Sequence, residues 1–464
     1  MSQVIRKKPL RALYYTAHLF THEFLRGDLA QKQRFMGRFM RRIFQKLGFY
    51  HLAACLFFVV SYVLSFLKPA RTGRLERNHL RWLWAISGLE NQDELRSWIT
   101  DRTVPHIIVL GMGSVGDVLQ ITPLLRSLRQ KIPNAKIGLL HRSAAAKVVL
   151  DGNPNVDTIA VADFYRFSQI KHAVRTQGVA DLVIEIRSMS FLTTYTRAPE
   201  TYRHPTFNLA WPDAFFETAK KVQSHWQAPR GYQRPDGTYT WPLEWSKIHY
   251  LDALGMTSNL PIHSHSELDF YTYERDEAIL RQVSAPAQVI TVQAGVDADV
   301  VNWAYVTGQR PTKLLPLKTW AEIVRMLRDK NYTVIQLGTI DDAAIEGVTH
   351  DLRGKTSLRE AAVILRQAVC HLGTEGGLVH LAHAMKTKSV VLFGPTSSAF
   401  LGYPENVNLV AGACTGCWGA TKDWYIYCPR GLAEPACMNA YRAESIVEAV
   451  TKIGAAANLR QSAS

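Results

Sequence analysis

The residues best suited to chemistry sit in a short glycine-rich turn. The stretch HIIVLGMGSVGDVLQITPLLRSLRQ, residues 106–130, carries Gly111, Gly113 and Gly116 in a G-x-G-x-x-G pattern, with Asp117 immediately after. An apolar run precedes the glycines and apolar residues at helical spacing follow them, so a buried strand feeds a helix N-terminus through a tight turn. Backbone N–H groups at such a terminus can face an anion. Asp117 would then lie in the first helical turn, where a carboxylate either caps the helix or accepts a proton from a substrate hydroxyl. A dinucleotide site needs an acidic residue at the end of the second strand to hold the ribose. His141 and Arg142 stand there instead, which fails the test for NAD and leaves an NADP-linked oxidoreductase as the weaker alternative.

These residues need a scaffold, and the apolar runs supply one. Ile107–Leu110, Lys136–Leu140, Thr158–Val161 and Leu182–Ile186 alternate with helical stretches, and a second series runs through Val289–Gln293, Tyr332–Leu337, Val369–Gly373 and Val390–Phe393. Strands alternating with helices predict a parallel sheet covered on both faces, here twice in tandem. The expected division is a helical extension over 1–101, a first Rossmann-like domain over 102–285 and a second over 286–464. Residues 270–288 connect the two. Residues 195–250, rich in Trp, Tyr, Pro and His without clear periodicity, read as an irregular insertion on the acceptor side.

Charge separates the extension from the rest. The 464-residue chain has a net charge of +15, which calls for an anionic partner. Residues 1–48 hold eleven Lys or Arg against two acids, so most of the excess is local. Within RFMGRFMRRIFQKL, Phe35, Met36, Phe39, Met40, Ile43, Phe44 and Leu47 share one helical face and the basic residues flank it, the pattern of a helix lying on an anionic bilayer. Phe49–Leu67 contains no Asp, Glu, Lys or Arg, and a helix of that length reaches about 28 Å, barely a membrane crossing. Both flanks are basic, so a monotopic or re-entrant insertion with both ends on the cytoplasmic side fits better than a simple span. No nucleic-acid recognition motif accompanies the charge, which argues against nucleic acid as the partner.

Four of the six cysteines, Cys414, Cys417, Cys428 and Cys437, fall in one segment. Their spacing could close a tetrahedral thiolate site for zinc or iron; free thiols are the alternative, and disulfides are disfavoured in a reducing compartment.

Taken in order, VLGMGSVGDVLQITPLLRSLRQKIPNAKIGLL, GNPNVD, DLVIEIRS and LRGKTSLREAAVILRQAVCHLGTEGGLVHLAHAMKTKSVVLFGPT resemble the family nine glycosyltransferases, the lipopolysaccharide heptosyltransferases. The resemblance runs over roughly residues 105–450 and implies a GT-B fold, two Rossmann-like domains facing a cleft, with acceptor on the first and nucleotide sugar on the second. It also implies an inverting transfer that requires no metal. On this resemblance Asp117 is the general base and Gly113, Ser114 and Gly116 are acceptor-side residues. Thr312 and Lys313, in RPTKLLPLKTWAEIV, belong at the departing diphosphate, where a cation stabilises developing charge; a solvated lysine is the bland alternative for Lys313. Glu375, Gly376, Gly377 and His380 match a donor motif that usually reads Asn-Asp-Ser-Gly followed by a His, with Glu and Gly as departures. A core histidine is the competing reading of His380. Thr396 of FGPT and Gly295, the remnant of a His-Pro-Gly loop, complete the donor set. The implied donor is ADP-heptose and the acceptor a lipopolysaccharide core or related glycolipid, at the cytoplasmic face of the inner membrane in a peripheral or monotopic enzyme. A family member that glycosylates a protein would share these motifs.

Overall fold

The computed structural model describes residues 79–461, apart from 88, 99, 187–192, 227–231, 234–238, 241–246, 284–287, 296–309, 413 and 419–423. The basic amphipathic stretch and the apolar segment 49–67 lie outside the described residues. No helix among those described is long and apolar enough to cross a membrane.

Within the unit Arg81–Ser464, two open sheets organise the chain. The first contains β1 (His106–Gly111), β2 (Lys136–His141), β3 (Thr158–Val161), β4 (Leu182–Ile186) and β5 (Thr193–Arg197) in the order β3-β2-β1-β4-β5. All neighbours run parallel except β5, which is antiparallel to β4. The second contains β6 (Val289–Gln293), β7 (Thr333–Gln336), β8 (His350–Asp351), β9 (Cys370–Thr374), β10 (Ser389–Phe393) and β11 (Val407–Val410), parallel throughout, in the order β8-β7-β6-β9-β10-β11. Each order reverses once, between β1 and β4 and between β6 and β9. In doubly wound sheets ligands bind at such switch points, beyond the carboxyl ends of the strands.

Helices α1 (Leu80–Ile86) and α2 (Gln92–Ser97) precede the first sheet. Sequence reading put them in the extension, but Trp82, Ala85, Ile86, Leu95 and Trp98 are buried with Ile108, Leu110 and Val183 in the core under one face of that sheet. The long helix α3 (Val115–Lys131) covers the other face and contains Pro123. A proline there cannot donate to the carbonyl four residues back, that of Leu119. The Thr122 hydroxyl donates to that carbonyl at 2.7 Å instead, so the helix continues without an orphaned acceptor.

Helices α4 (Ala145–Val149) and α5 (Phe164–Thr176) complete the βαβ crossovers. The expected irregular insertion is partly helical: α6 (Pro205–Ala210) and α7 (Asp213–Trp226) bring Phe207, Trp211, Phe215 and Phe216 into an aromatic cluster. Helix α8 (Tyr250–Ser258) follows. A 3-10 stretch, Glu274–Arg281, lies in the connection. In the second domain come α9 (Leu317–Asp329), α10 (Leu358–Gln367), α11 (Gly377–Ala384), α12 (Ser398–Leu401), α13 (Ala436–Asn439) and α14 (Ala443–Gln461). One hydrophobic cluster is continuous from Ile107, Val118 and Leu125 of the first domain through Tyr250 and Phe270 to Leu378, Val379 and Tyr403 of the second. The two domains therefore share buried apolar surface at the junction where the switch points meet.

Candidate active site

Two glycine turns, one per domain, carry the candidate residues. In the first, Ser114 is the extended residue before α3. Its N–H donates to Asp117 Oδ2 at 2.8 Å and its hydroxyl donates to the same oxygen at 3.3 Å. Asp117 is thus the carboxylate of a capping box, and both of those bonds fall on one oxygen. Gly113, at φ 122°, permits this: a Cβ there would strike the carboxyl carbon of Asp117 at 2.2 Å. His141, at the end of β2, packs beside Gly111. Burial pushes its pKa down while Asp117 opposes the shift.

In the second turn, β9 ends at Thr374 and α11 begins at Gly377, with Gly376 as the extended N-cap. Glu375 is buried and forms an ion pair with the half-buried Lys313; the Lys313 ammonium also lies 3.3 Å from the Glu375 carbonyl oxygen. Burial alone would raise the carboxyl, but Lys313, with help from His380, brings it down to about 2. Lys313 is therefore no merely solvated lysine. It neutralises the one carboxylate at the head of α11, which leaves the positive end of that helix able to attract an anion.

The heads of α3 and α11 abut. A Cβ on Gly116 would lie 2.6 Å from His380 Cδ2 and 3.6 Å from Gly377 Cα, and one on Gly377 would lie 3.7 Å from Val115 Cβ. Gly116 is thus required for close approach of two helices rather than for its backbone angle. Asp117 and the Glu375–Lys313 pair consequently flank one junction between the domains, with two helix N-termini converging there. His380 lies inside it: Gln120 Nε2 is 3.0 Å from its Nε2, and the Tyr403 hydroxyl is 2.7 Å from its Nδ1. At 3% exposure it behaves as the core histidine that sequence reading held as the alternative to a donor ligand.

The remaining predicted residues are placed by packing. Thr312 is buried and its hydroxyl donates to the Trp424 carbonyl at 2.9 Å, while Lys313 lies 5.8 Å from the centre of the Trp424 ring. Gly295 follows β6; a Cβ there would overlap the carboxylate of Asp342, the same carboxylate that Gly338 admits from the other side. Burial raises Asp342 above the usual carboxylate range, and the Thr339 N–H and hydroxyl donate to it at 3.2 and 3.0 Å. Thr396 is buried just beyond β10. Its loop is strapped by the cysteine-rich segment, through Gly416 N–H to the Gly394 carbonyl at 3.0 Å and Trp418 N–H to the Pro395 carbonyl at 2.8 Å.

Distant in sequence from Lys313, that segment is therefore its neighbour in space. Burial first, then Cys437, Cys428 and Cys414, push the Cys417 thiol up to about 12, and burial raises Cys437 as well. Among the described residues no three His, Cys, Asp or Glu side chains are gathered so as to hold a metal ion.

Residues 263–419 match the profile of glycosyltransferase family 9 (heptosyltransferase). The matched stretch includes the Lys313 loop, the whole of β9 and α11, and the loop after β10. Over that stretch the chain is similar to the family 9 glycosyltransferases. Lipopolysaccharide heptosyltransferase 3 of Escherichia coli strain K12 is 23% identical to this chain over 316 residues, 61% of this chain and 81% of the relative. Lipooligosaccharide heptosyltransferase 2 of Haemophilus influenzae is 28% identical over 102 residues, 19% of this chain and 30% of the relative. The crystal structure of a family 9 glycosyl transferase from Veillonella parvula superposes with a TM-score of 0.50 at 16% identity, covering 75% of this chain and 97% of that one. The fold of the chain is GT-B.

Sequence reasoning missed Gln120, Tyr250, Tyr403, Trp424 and Asp342. Gln120 left a signal, an amide inside the otherwise largely apolar run VLQITPLL. Tyr250 and Trp424 sit in stretches without periodicity, where spacing says nothing.

Proposed function

We propose that this protein transfers heptose from ADP-heptose to a lipopolysaccharide core or related glycolipid, inverting the anomeric centre without a metal in the transfer step. The observation that carries the reading is the junction of α3 and α11, with a half-exposed carboxylate on one side and a cation-neutralised helix head on the other. Asp117, held by Ser114 through one oxygen, takes the proton of the acceptor hydroxyl as that oxygen attacks the anomeric carbon. The bond to the diphosphate breaks on the opposite face. Lys313 and the N–H groups at the head of α11 receive the charge that develops on the leaving group. Thr312 acts by fixing the Lys313 loop, through its bond to Trp424.

A peripheral or monotopic position on the cytoplasmic face, held by the basic first 78 residues on anionic lipid, belongs to the same proposal. A structural zinc or iron at Cys414, Cys417, Cys428 and Cys437 is a separate one, tested by elemental analysis of the purified chain, and no step of transfer runs through it. Titration calorimetry with ADP, UDP, GDP and NADPH, followed by the corresponding sugar nucleotides and a transfer assay on core glycolipid, tests the function. Preference for ADP and ADP-heptose is expected. Tight NADPH binding without ADP-sugar binding would overturn the transferase reading, and preference for another nucleotide would discard heptose.

A further inference from the structure

Four buried polar side chains, two from each domain, meet beside the junction: Gln120 of α3, Tyr250 of α8, His380 of α11 and Tyr403. Their exposures are 3%, 0%, 3% and 0%. Gln120 Nε2 approaches His380 Nε2 at 3.0 Å, His380 Nδ1 approaches the Tyr403 hydroxyl at 2.7 Å, and the Tyr403 and Tyr250 hydroxyls are 2.7 Å apart. Glu375 Oε1 stands 3.7 Å from His380 Nε2. The three contacts join the four side chains into one network that crosses from the first domain to the second. His383 stacks on the Tyr403 ring with centroids 3.6 Å apart, which holds that hydroxyl in place.

Such a network acts differently from the apolar surface around it. Hydrophobic contact is non-directional and tolerates sliding, whereas a shift of α3 along α11 would leave four buried polar groups unpaired. Buried polar groups of this sort specify register. The pairs that also span the domains, Arg359 with Asp151, Arg366 with Glu277, Lys386 with Glu267 and His265 with Glu405, are partly exposed and contribute little. Gln120 lies one helical turn beyond Asp117, and His380 one turn beyond the head of α11.

We propose that Gln120, Tyr250, His380 and Tyr403 form an interdomain latch. They are positioning residues that fix Asp117 relative to the Glu375–Lys313 pair, so that the cleft is transfer-competent at one register only. The assignment of Asp117 and Lys313 to the reaction rests on the proposed function; the latch itself does not.

Tyr403→Phe and Gln120→Leu test it, singly and together, in the full chain. Each single variant is expected to lower kcat at least tenfold while KM for ADP-heptose stays within about twofold, because neither Tyr403 nor Gln120 belongs to the implied donor set. The double variant should be no worse than the poorer single, since one break interrupts the network. Amide hydrogen exchange should quicken at residues 115–120 and 377–381 with both sheets still protected. Unchanged kcat with unchanged exchange at the two helix heads would overturn the latch, as would loss of protection throughout both sheets, which marks a purely structural role. If the wild-type chain transfers nothing from ADP-heptose, the functional reading fails, and the exchange measurement still decides the latch.

Discussion

The two glycine turns are built alike and handle their carboxylates in opposite ways. Each follows a strand at a switch point and opens a helix. Asp117 is tied to its own turn through the Ser114 N–H and stays half-exposed, whereas Glu375 is buried and tied to a lysine from another loop. Satisfied locally, the first carboxylate keeps an oxygen for chemistry. The second is consumed in making a helix head receptive to phosphate. Fold symmetry between domains therefore does not extend to the roles of matched residues.

The largest effect should come from separating chemistry from structure in the first turn. Asp117→Asn keeps an oxygen for the Ser114 N–H, so stability should change by under about 1 kcal/mol, while kcat should fall on the order of 10³-fold. Denaturant melts alongside steady-state kinetics would show it. Equal losses in stability and rate would make Asp117 a cap only. The second turn should behave in the reverse manner. Lys313→Met strands a buried carboxylate and should cost about 3 kcal/mol, much of it recovered by adding Glu375→Gln, with transfer still lost.

The same pair predicts a pH signature. Glu375 falls from 4.5 to about 2 on folding, so its contribution is complete above pH 4.5 and is lost as pH drops toward 2. In the Lys313→Met, Glu375→Gln double variant that component should vanish from the urea midpoint profile. A separate and steeper decline beginning near pH 6.5 should persist in both proteins. It comes from His106, His371 and His383, lowered to about 4, and His249, lowered to about 3, all chiefly by burial. Between those values and 6.5 the unfolded chain binds more protons, so stability rises with pH there.

The glycines sharpen the contrast further. Gly116→Ala must push His380 aside and should cost about 1–3 kcal/mol, whereas Gly377→Ala meets nothing nearer than 3.7 Å and should be nearly silent in thermal unfolding. The smallest effect is expected at Thr312→Val, about 1 kcal/mol for the bond to the Trp424 carbonyl.

Much of this was readable in the chain. Strands β1–β4, β6, β7, β9 and β10 follow from short apolar runs, and Gly111, Gly113, Gly116 and Asp117 announce the first turn. The antiparallel β5 was not legible, because Thr193–Arg197 has no apolar face to signal it and its pairing with β4 is long-range. The role of Gly116 was read as a ligand-facing turn, since its true neighbour, His380, lies 264 positions away. The bond from the Thr312 hydroxyl to the Trp424 carbonyl, more than a hundred residues on, was equally illegible. Contacts of this kind are set by how two domains dock, and no local period encodes docking.

The strap across the loop after β10 bears on how the protein is made. Gly394 and Pro395 are held by Gly416 and Trp418, and Thr312 by Trp424, while Gly394 leaves room for Cys437 and Met438. A chain emerging from the ribosome can fold its first sheet early, but the loops at Thr312 and Gly394 stay unbraced until these late residues have been synthesised. Under the proposed function, sugar-nucleotide binding is among the last properties the nascent polypeptide acquires, and a chain that stalls before the strap is complete carries Asp117 without a braced loop opposite it.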